Sequence, residues 1–273
     1  MLIVNHTVLS FGLAIGLFLA MLLLLEVGRR VGVERARTRG SQSRAGVGVV
    51  DSAVYALLAL LIGFTFSGAA ARFDQRRAIV GEIANGASTV WKRIDMLPDD
   101  QQPPIRESLR RYMDELIRYF TAPTSRDLPL QPPAALTSAE DSLWSRAVAA
   151  CKTPGGEAAR MLILPALNET FDGVDRERLA RNTHPPPLIF AMLGIAALAT
   201  ALFAGYGMAS GSVRNWLFSV GIAASVAIAT YVVIELEYPR LGLVRVGDAD
   251  QALIDLRATM NERPTETSAR PQR

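Results

Sequence analysis

The residues able to do chemistry are few and scattered. The sequence holds two histidines, His6 and His184, and one cysteine, Cys151. His184 heads a run of three prolines, a position that suits a cap or an interface contact rather than a general base. Cys151 sits in AACKTP, where nothing marks an activating base or a lowered thiol pKa, so it packs as a small apolar residue. No HExxH, Walker, GxGxxG or GxSxG spacing occurs. The acids Glu235 and Glu237 lie just past an apolar stretch, with Asp248, Asp250 and Asp255 beyond them. Two neighbouring carboxylates fall short of the roughly six to eight oxygens that calcium takes. Glu235 and Glu237 are therefore expected to be solvated, with Asp248 or Asp250 as the N-cap of a short tail helix. No catalytic residue, no cofactor-binding residue and no metal ligand is predicted, and an enzyme is not expected.

Charge gives no stronger lead. The 273 residues carry a formal net charge of +3, and all of the 29 basic residues except Lys92 and Lys152 are arginine. They are scattered and offset by 26 acids, with no aromatic-interleaved basic stripe. No nucleic-acid partner is expected.

What organises the chain is its apolar residues, half of the total, at a mean hydropathy of +0.21. They gather in four stretches, Val8–Leu25, Ser52–Ala71, Leu188–Met208 and Trp216–Ile234. Each is long enough, at about 1.5 Å per residue, to cross about 30 Å of hydrocarbon. None contains an ionisable side chain of the Asp, Glu, Lys, Arg or His type. A soluble globular protein is excluded, and so is a disulfide framework. The first stretch lacks a basic leader and a small-residue cleavage site, so it reads as a retained anchor. A coupled pump places a charge at mid-membrane depth. Four spans without one fit passive conduction or no conduction at all.

Between the spans, residues 72–187 read as an all-helical extramembrane domain. From Phe73 the apolar residues Val80, Ile83, Ala84, Ala87, Val90, Trp91 and Ile94 recur at helical spacing. That stripe predicts one helix running out of the second span and ending at Pro98. Pro103 and Pro104 open the next, with the stripe Ile105, Leu109, Tyr112, Met113, Leu116 and Phe120. Residues 123–133 are proline-rich and read as extended. Thr137 and Glu140 have capping-box spacing ahead of Leu143, Trp144, Ala147 and Val148. A further helix runs to about Arg181 with a kink expected at Pro165. The tail, 235–273, holds one helix over about Ala249–Met260 and a disordered end. The fold class is all-α, with four transmembrane helices.

Small residues stand four apart on three spans: Gly63, Ser67 and Ala71; Ala201, Gly205 and Ala209; Gly221, Ser225 and Ala229. Such faces permit close helix contact, chiefly within one bundle. The Arg-rich linker, 26–51, carries Arg29, Arg30, Arg35, Arg37, Arg39 and Arg44. Loop charge therefore leans toward a cytoplasmic linker, with residues 72–187 on the far side.

Several segments resemble a known family. Gly63-Phe64 followed by Arg72-Phe73 is similar to the second membrane helix of bestrophins, and Glu235-Leu-Glu-Tyr-Pro-Arg resembles the segment after their last helix. Leu164-PALNETFD, His184-PPPLIFAMLG and Glu237-YPRLGLVRV resemble a bacterial bestrophin-like family of unknown function across nearly the whole chain. The sequence departs from true bestrophins at Asp74, in place of a second aromatic, and lacks their acidic calcium run. The resemblance implies a multi-pass protein of a bacterial inner membrane that forms a homo-oligomer, a pentamer by analogy. It further implies passage of inorganic ions past Ala56, Leu60 and Phe64 on the second span, and it places residues 72–187 in the cytoplasm, against the loop charge. The alternative is a non-conducting membrane scaffold whose helical domain binds a partner.

Overall fold

A computed structural model describes residues 2–39, 47–122, 132–210, 216–238 and 247–261. Every regular element among them is helical: α1 (Leu2–Arg39), α2 (Val47–Arg93), α3 (Gln102–Thr121), α4 (Ala134–Ala150), α5 (Glu157–Asn182), α6 (Pro187–Gly207), α7 (Trp216–Glu237) and α8 (Gly247–Thr259). Four helices are long and apolar enough to cross a membrane. The protein is an integral membrane protein of the all-α class, with a helical domain between its second and third spans. The described residues divide into two compact units.

The first unit, Met1–Phe73 with His184–Val244, contains α1, the first part of α2, α6 and α7. Its core is built from Met21 and Leu25 of α1, Leu58 of α2, Leu193, Ala197 and Ala201 of α6, and Ala223 of α7. In lipid the hydrophobic effect does not drive helices together, so close packing must. The closest approach is between α1 and α6. A Cβ on Gly205 would stand 2.0 Å from the Leu25 carbonyl oxygen, and one on Gly28 would stand 2.1 Å from that of Leu202. Gly32 repeats the contact one turn on, where a Cβ would meet Ala209 at 2.5 Å. The Ala201–Gly205–Ala209 face is thus spent inside the chain. Gly63 and Gly221 meet nothing within 4 Å, and Ser67, Ala71 and Ser225 are exposed. Hydroxyls in the spans bond back to their own helix, as Thr65 to the Leu61 carbonyl at 2.8 Å and Thr200 to that of Ala196 at 2.6 Å. Each is satisfied without water.

The second unit, Asp74–Thr183 with Arg245–Arg273, contains the rest of α2 with α3, α4, α5 and α8. Its core takes Val80, Ile83, Ala87, Val90 and Ile94 from α2 and the whole expected α3 stripe from Ile105 to Phe120. Gly173 lets α5 approach Ile83, where a Cβ would come within 2.8 Å. Two arginines close helix ends. Arg76 donates to the carbonyls of Ala180 and Thr183 at the end of α5, and Arg110 donates twice to that of Met260 after α8. Arg257 makes a two-pronged pair with Asp114, at 2.8 and 3.0 Å.

Three local expectations are corrected. The Arg-rich linker is not loop throughout, since α1 continues to Arg39 and Glu26 holds Arg29 and Arg30 on its last turns. The capping box is unused: α4 begins at Ala134 behind Pro133, so Thr137 already lies inside the helix. Proline's fixed φ starts the helix one turn early. Pro165 lies inside α5, Glu157–Asn182, as its place in the helical pattern implies. Helix α8 begins at Gly247, so Asp248 and Asp250 lie within it rather than before it. The expected extended segment at 123–131, the turn at 211–215 and the end beyond 261 lie outside the described residues.

Candidate functional site

The Ala56, Leu60 and Phe64 side chains stand on one face of α2, at a spacing of four. All three are exposed, Leu60 at 54% and Phe64 at 68%. On the other side of the helix Leu58 is buried in the bundle core. Exposed Leu and Phe at membrane depth face lipid, another copy of the chain or the axis of an assembly.

Toward the end of this helical stretch the polar groups collect. Arg72 donates from Nε to Glu237 Oε2 at 2.9 Å, and its Nη2 stands 2.8 Å from the same oxygen as an ion pair. The other carboxylate oxygen, Oε1, stands 3.1 Å from His184 Nδ1. The Glu237 side chain is completely buried, while His184 retains about a third of its exposure. Tyr238 stacks on the imidazole with ring centroids 4.6 Å apart and planes 30° from parallel. One carboxylate at the end of α7 thus meets α2 and the segment that leads into α6. Gly68, one turn before Arg72, leaves the space its guanidinium occupies, since a Cβ there would meet Nη1 at 3.3 Å. Arg72 also borders an apolar groove of about 280 Å³, lined by Leu61, Phe64, Ile189 and Phe190 among others.

These contacts correct the expectation for the tail acids. Glu235 and Glu237 are buried, not solvated. Water is replaced at Glu237 by two basic side chains, which is what a buried carboxylate requires. His184 takes the interface role its sequence position suggested. The side chain of His6 lies outside what is described. Asp74 is exposed, and Asp255 accepts from Gln251 at 2.7 Å. Among the described residues no group of three His, Cys, Asp or Glu could hold a metal.

Elsewhere the titratable groups are structural. Cys151 is buried at the end of α4, and burial pushes its thiol up, away from reactivity. Tyr112 is buried in the helical domain and its phenol is raised in the same way. The Glu140 carboxyl is raised by burial first, then by Asp175, Asp141 and Asp172. Arg106 and Arg110 lie over the Trp91 ring at 4.4 and 5.0 Å from its centroid. None of these forms a nucleophile–base pair.

The Arg72–Glu237 contact was not foreseen as a pair. Each residue stands in a bestrophin-like motif, but nothing in either motif names the other as its partner.

No curated protein matches the chain. Among solved structures, two variants of a bacterial bestrophin homologue from Klebsiella pneumoniae share this fold. One has a TM-score of 0.65 at 16% identity, and the other 0.64 at 18%; each match covers 90% of this chain and 99% of that one. A further structure of that homologue gives 0.61 at 17% identity, over 89% and 98%. The bestrophin-like domain family matches residues 11–269. With that match spanning nearly its whole length, the chain belongs to the bestrophin-like family.

Proposed function

We propose that this protein is a passive ion channel of a bacterial inner membrane, assembled as a ring of identical chains, five by family analogy, with α2 lining the pore. The observation that carries the reading is the exposed Ala56–Leu60–Phe64 face on a helix whose opposite side packs in the bundle. A ring turns such a face toward its axis and buries other exposed faces between subunits. The small-residue faces around Gly63 and Gly221, free within the chain, supply surfaces for that contact. Spans without charges suit a pore gated by an apolar constriction, and Phe64 has the bulk for one. The ions are inorganic, and neither cofactor nor catalytic residue is part of the reading.

The second reading is a non-conducting scaffold. It is favoured by Met161 and Leu179, which stand 77% and 70% exposed on α5 and would serve a protein partner.

Thiol accessibility separates the two. The chain has one cysteine, so a Cys151→Ser background allows single cysteines to be placed at will. Leu60→Cys and Phe64→Cys should react with a membrane-impermeant thiol reagent in proteoliposomes. Phe66→Cys, at an exposed position turned away from them, should not. Silence at 60 and 64, or equal labelling at 66, contradicts the pore assignment.

A further inference from the structure

We propose that the groove beside α2 holds one phospholipid of the surrounding membrane, its acyl chain between α2 and α6 and a phosphodiester oxygen on the guanidinium of Arg72. The groove is apolar and runs along α2 from Leu61 to Arg72, with Ile189 and Leu193 of α6 and Val233 of α7 in its wall. At about 1.5 Å per residue that stretch of α2 is about 16 Å long, close to half of the roughly 30 Å hydrocarbon core. It matches the depth of one leaflet. The volume of about 280 Å³ is about twice the roughly 150 Å³ that a benzene-sized guest fills. That is room for a single acyl chain and not for two.

The polar end of the groove decides the occupant. Arg72 follows the last apolar residue of its span, Ala71, so its guanidinium reaches headgroup depth. Nε and Nη2 both meet Glu237 Oε2. Among the described residues Nη1 has no partner. It lies over Gly68, where a Cβ would meet it at 3.3 Å. Gly68 and Arg72 both line the groove, so the missing side chain at 68 leaves this donor open to it. The Thr65 hydroxyl in the same wall bonds to the Leu61 carbonyl at 2.8 Å and is already satisfied. One charged donor at the end of an otherwise apolar slot fits an amphiphile, with an anionic head and a hydrocarbon tail below it. A phosphodiester meets a guanidinium through charge-assisted hydrogen bonds, and arginine keeps its charge at every accessible pH. Ile189 and Met192 are exposed in the wall, so the slot is open along its side and a lipid enters from the bilayer without crossing water. The site is a property of the fold and does not depend on conduction.

The test uses the full chain, purified in a mild detergent and measured by native mass spectrometry. Wild type should carry one phospholipid per chain after a wash that strips the rest. Once freed of it, the protein should rebind phosphatidylglycerol at one per chain. It should bind a diacylglycerol with the same chains at least about tenfold more weakly, since the charged bond to Arg72 is lost with the phosphate. Ile189→Trp fills the groove and should lose the retained lipid several-fold. Ile228→Trp puts the same bulk at an exposed position on α7 outside the groove and should keep it. A wild type that washes free of lipid overturns the proposal, and so does equal binding of the two added lipids. An Ile189→Trp protein that keeps its lipid overturns it as well. If that variant also lowers the particle mass, the groove is a contact between copies of the chain instead. Should Ile189→Trp fail to fold, the two lipids on wild type decide the matter alone.

Discussion

Arg72 and Glu237 lie 165 positions apart in the chain, and the guanidinium of one meets a single oxygen of the other's buried carboxylate with a hydrogen bond from Nε at 2.9 Å and an ion-pair contact from Nη2 at 2.8 Å. The pair closes the bundle by tying the second span to the last. Breaking such a pair from one side leaves a charge in a place without water. Glu237→Leu or Arg72→Met alone should therefore cost about 3–5 kcal/mol of stability. The two together should cost far less than the sum, because no unpaired charge is left behind. A thermal or denaturant double-mutant cycle measures this. Additive losses would show that the pair is not coupled.

The glycines of the first unit divide into two kinds, and substitution should separate them. Gly205 and Gly28 sit where a Cβ would run into the backbone of the facing helix, at 2.0 and 2.1 Å. Alanine at either should push α1 from α6 and cost about 1–3 kcal/mol. Gly63 and Gly221 face open space, so alanine there should leave the stability of the isolated chain within about 0.5 kcal/mol of wild type. Unfolding of the dissociated protein in detergent checks both. A Gly205→Ala chain as stable as wild type would mean that the α1–α6 approach is not as close as described.

Glu140 offers a pH-dependent effect in the helical domain. Its carboxyl is raised by burial and by Asp175, Asp141 and Asp172. A raised carboxyl means the folded state binds the proton more tightly than the unfolded chain. Its contribution is then most favourable at low pH and is lost as the pH rises through the raised value. At pH 7 Glu140→Gln should stabilise the protein by up to about 1 kcal/mol after solvent screening. At pH 4 the gain should vanish. Unfolding midpoints of the two proteins across that range measure it.

Much of the helical domain was legible because its periodicity carries it. Ile105, Leu109, Tyr112, Met113, Leu116 and Phe120 repeat at three and four, and all are buried. The continuation of α2 through Phe73 was legible for the same reason, since no proline interrupts Ser52–Lys92. The spans were legible from length and the absence of charge. Polar pairing across the fold was not, because periodicity records which face is buried and not what meets it. Glu237 looked like an acid at a solvated chain end until Arg72 and His184 were placed beside it. The Gly28–Gly32 contact escaped for a related reason, as both glycines sit among arginines that drew the reading toward a linker. Capping-box spacing is a weaker guide than proline position here. Pro103 and Pro104 marked the opening of α3, and at α4 it is Pro133, not the capping-box residue Thr137, that sets the start.

Ion flux tests the central claim most directly. Purified protein in liposomes, with particle mass recorded in parallel, should pass small inorganic ions as a ring of several chains. Replacing Phe64 with alanine widens the narrowest part of the proposed pore, so Phe64→Ala should raise flux several-fold or change ion preference while leaving particle mass unchanged. A monomer or dimer that passes no common ion, with Phe64→Ala equally silent, would contradict the channel and leave the scaffold reading in its place.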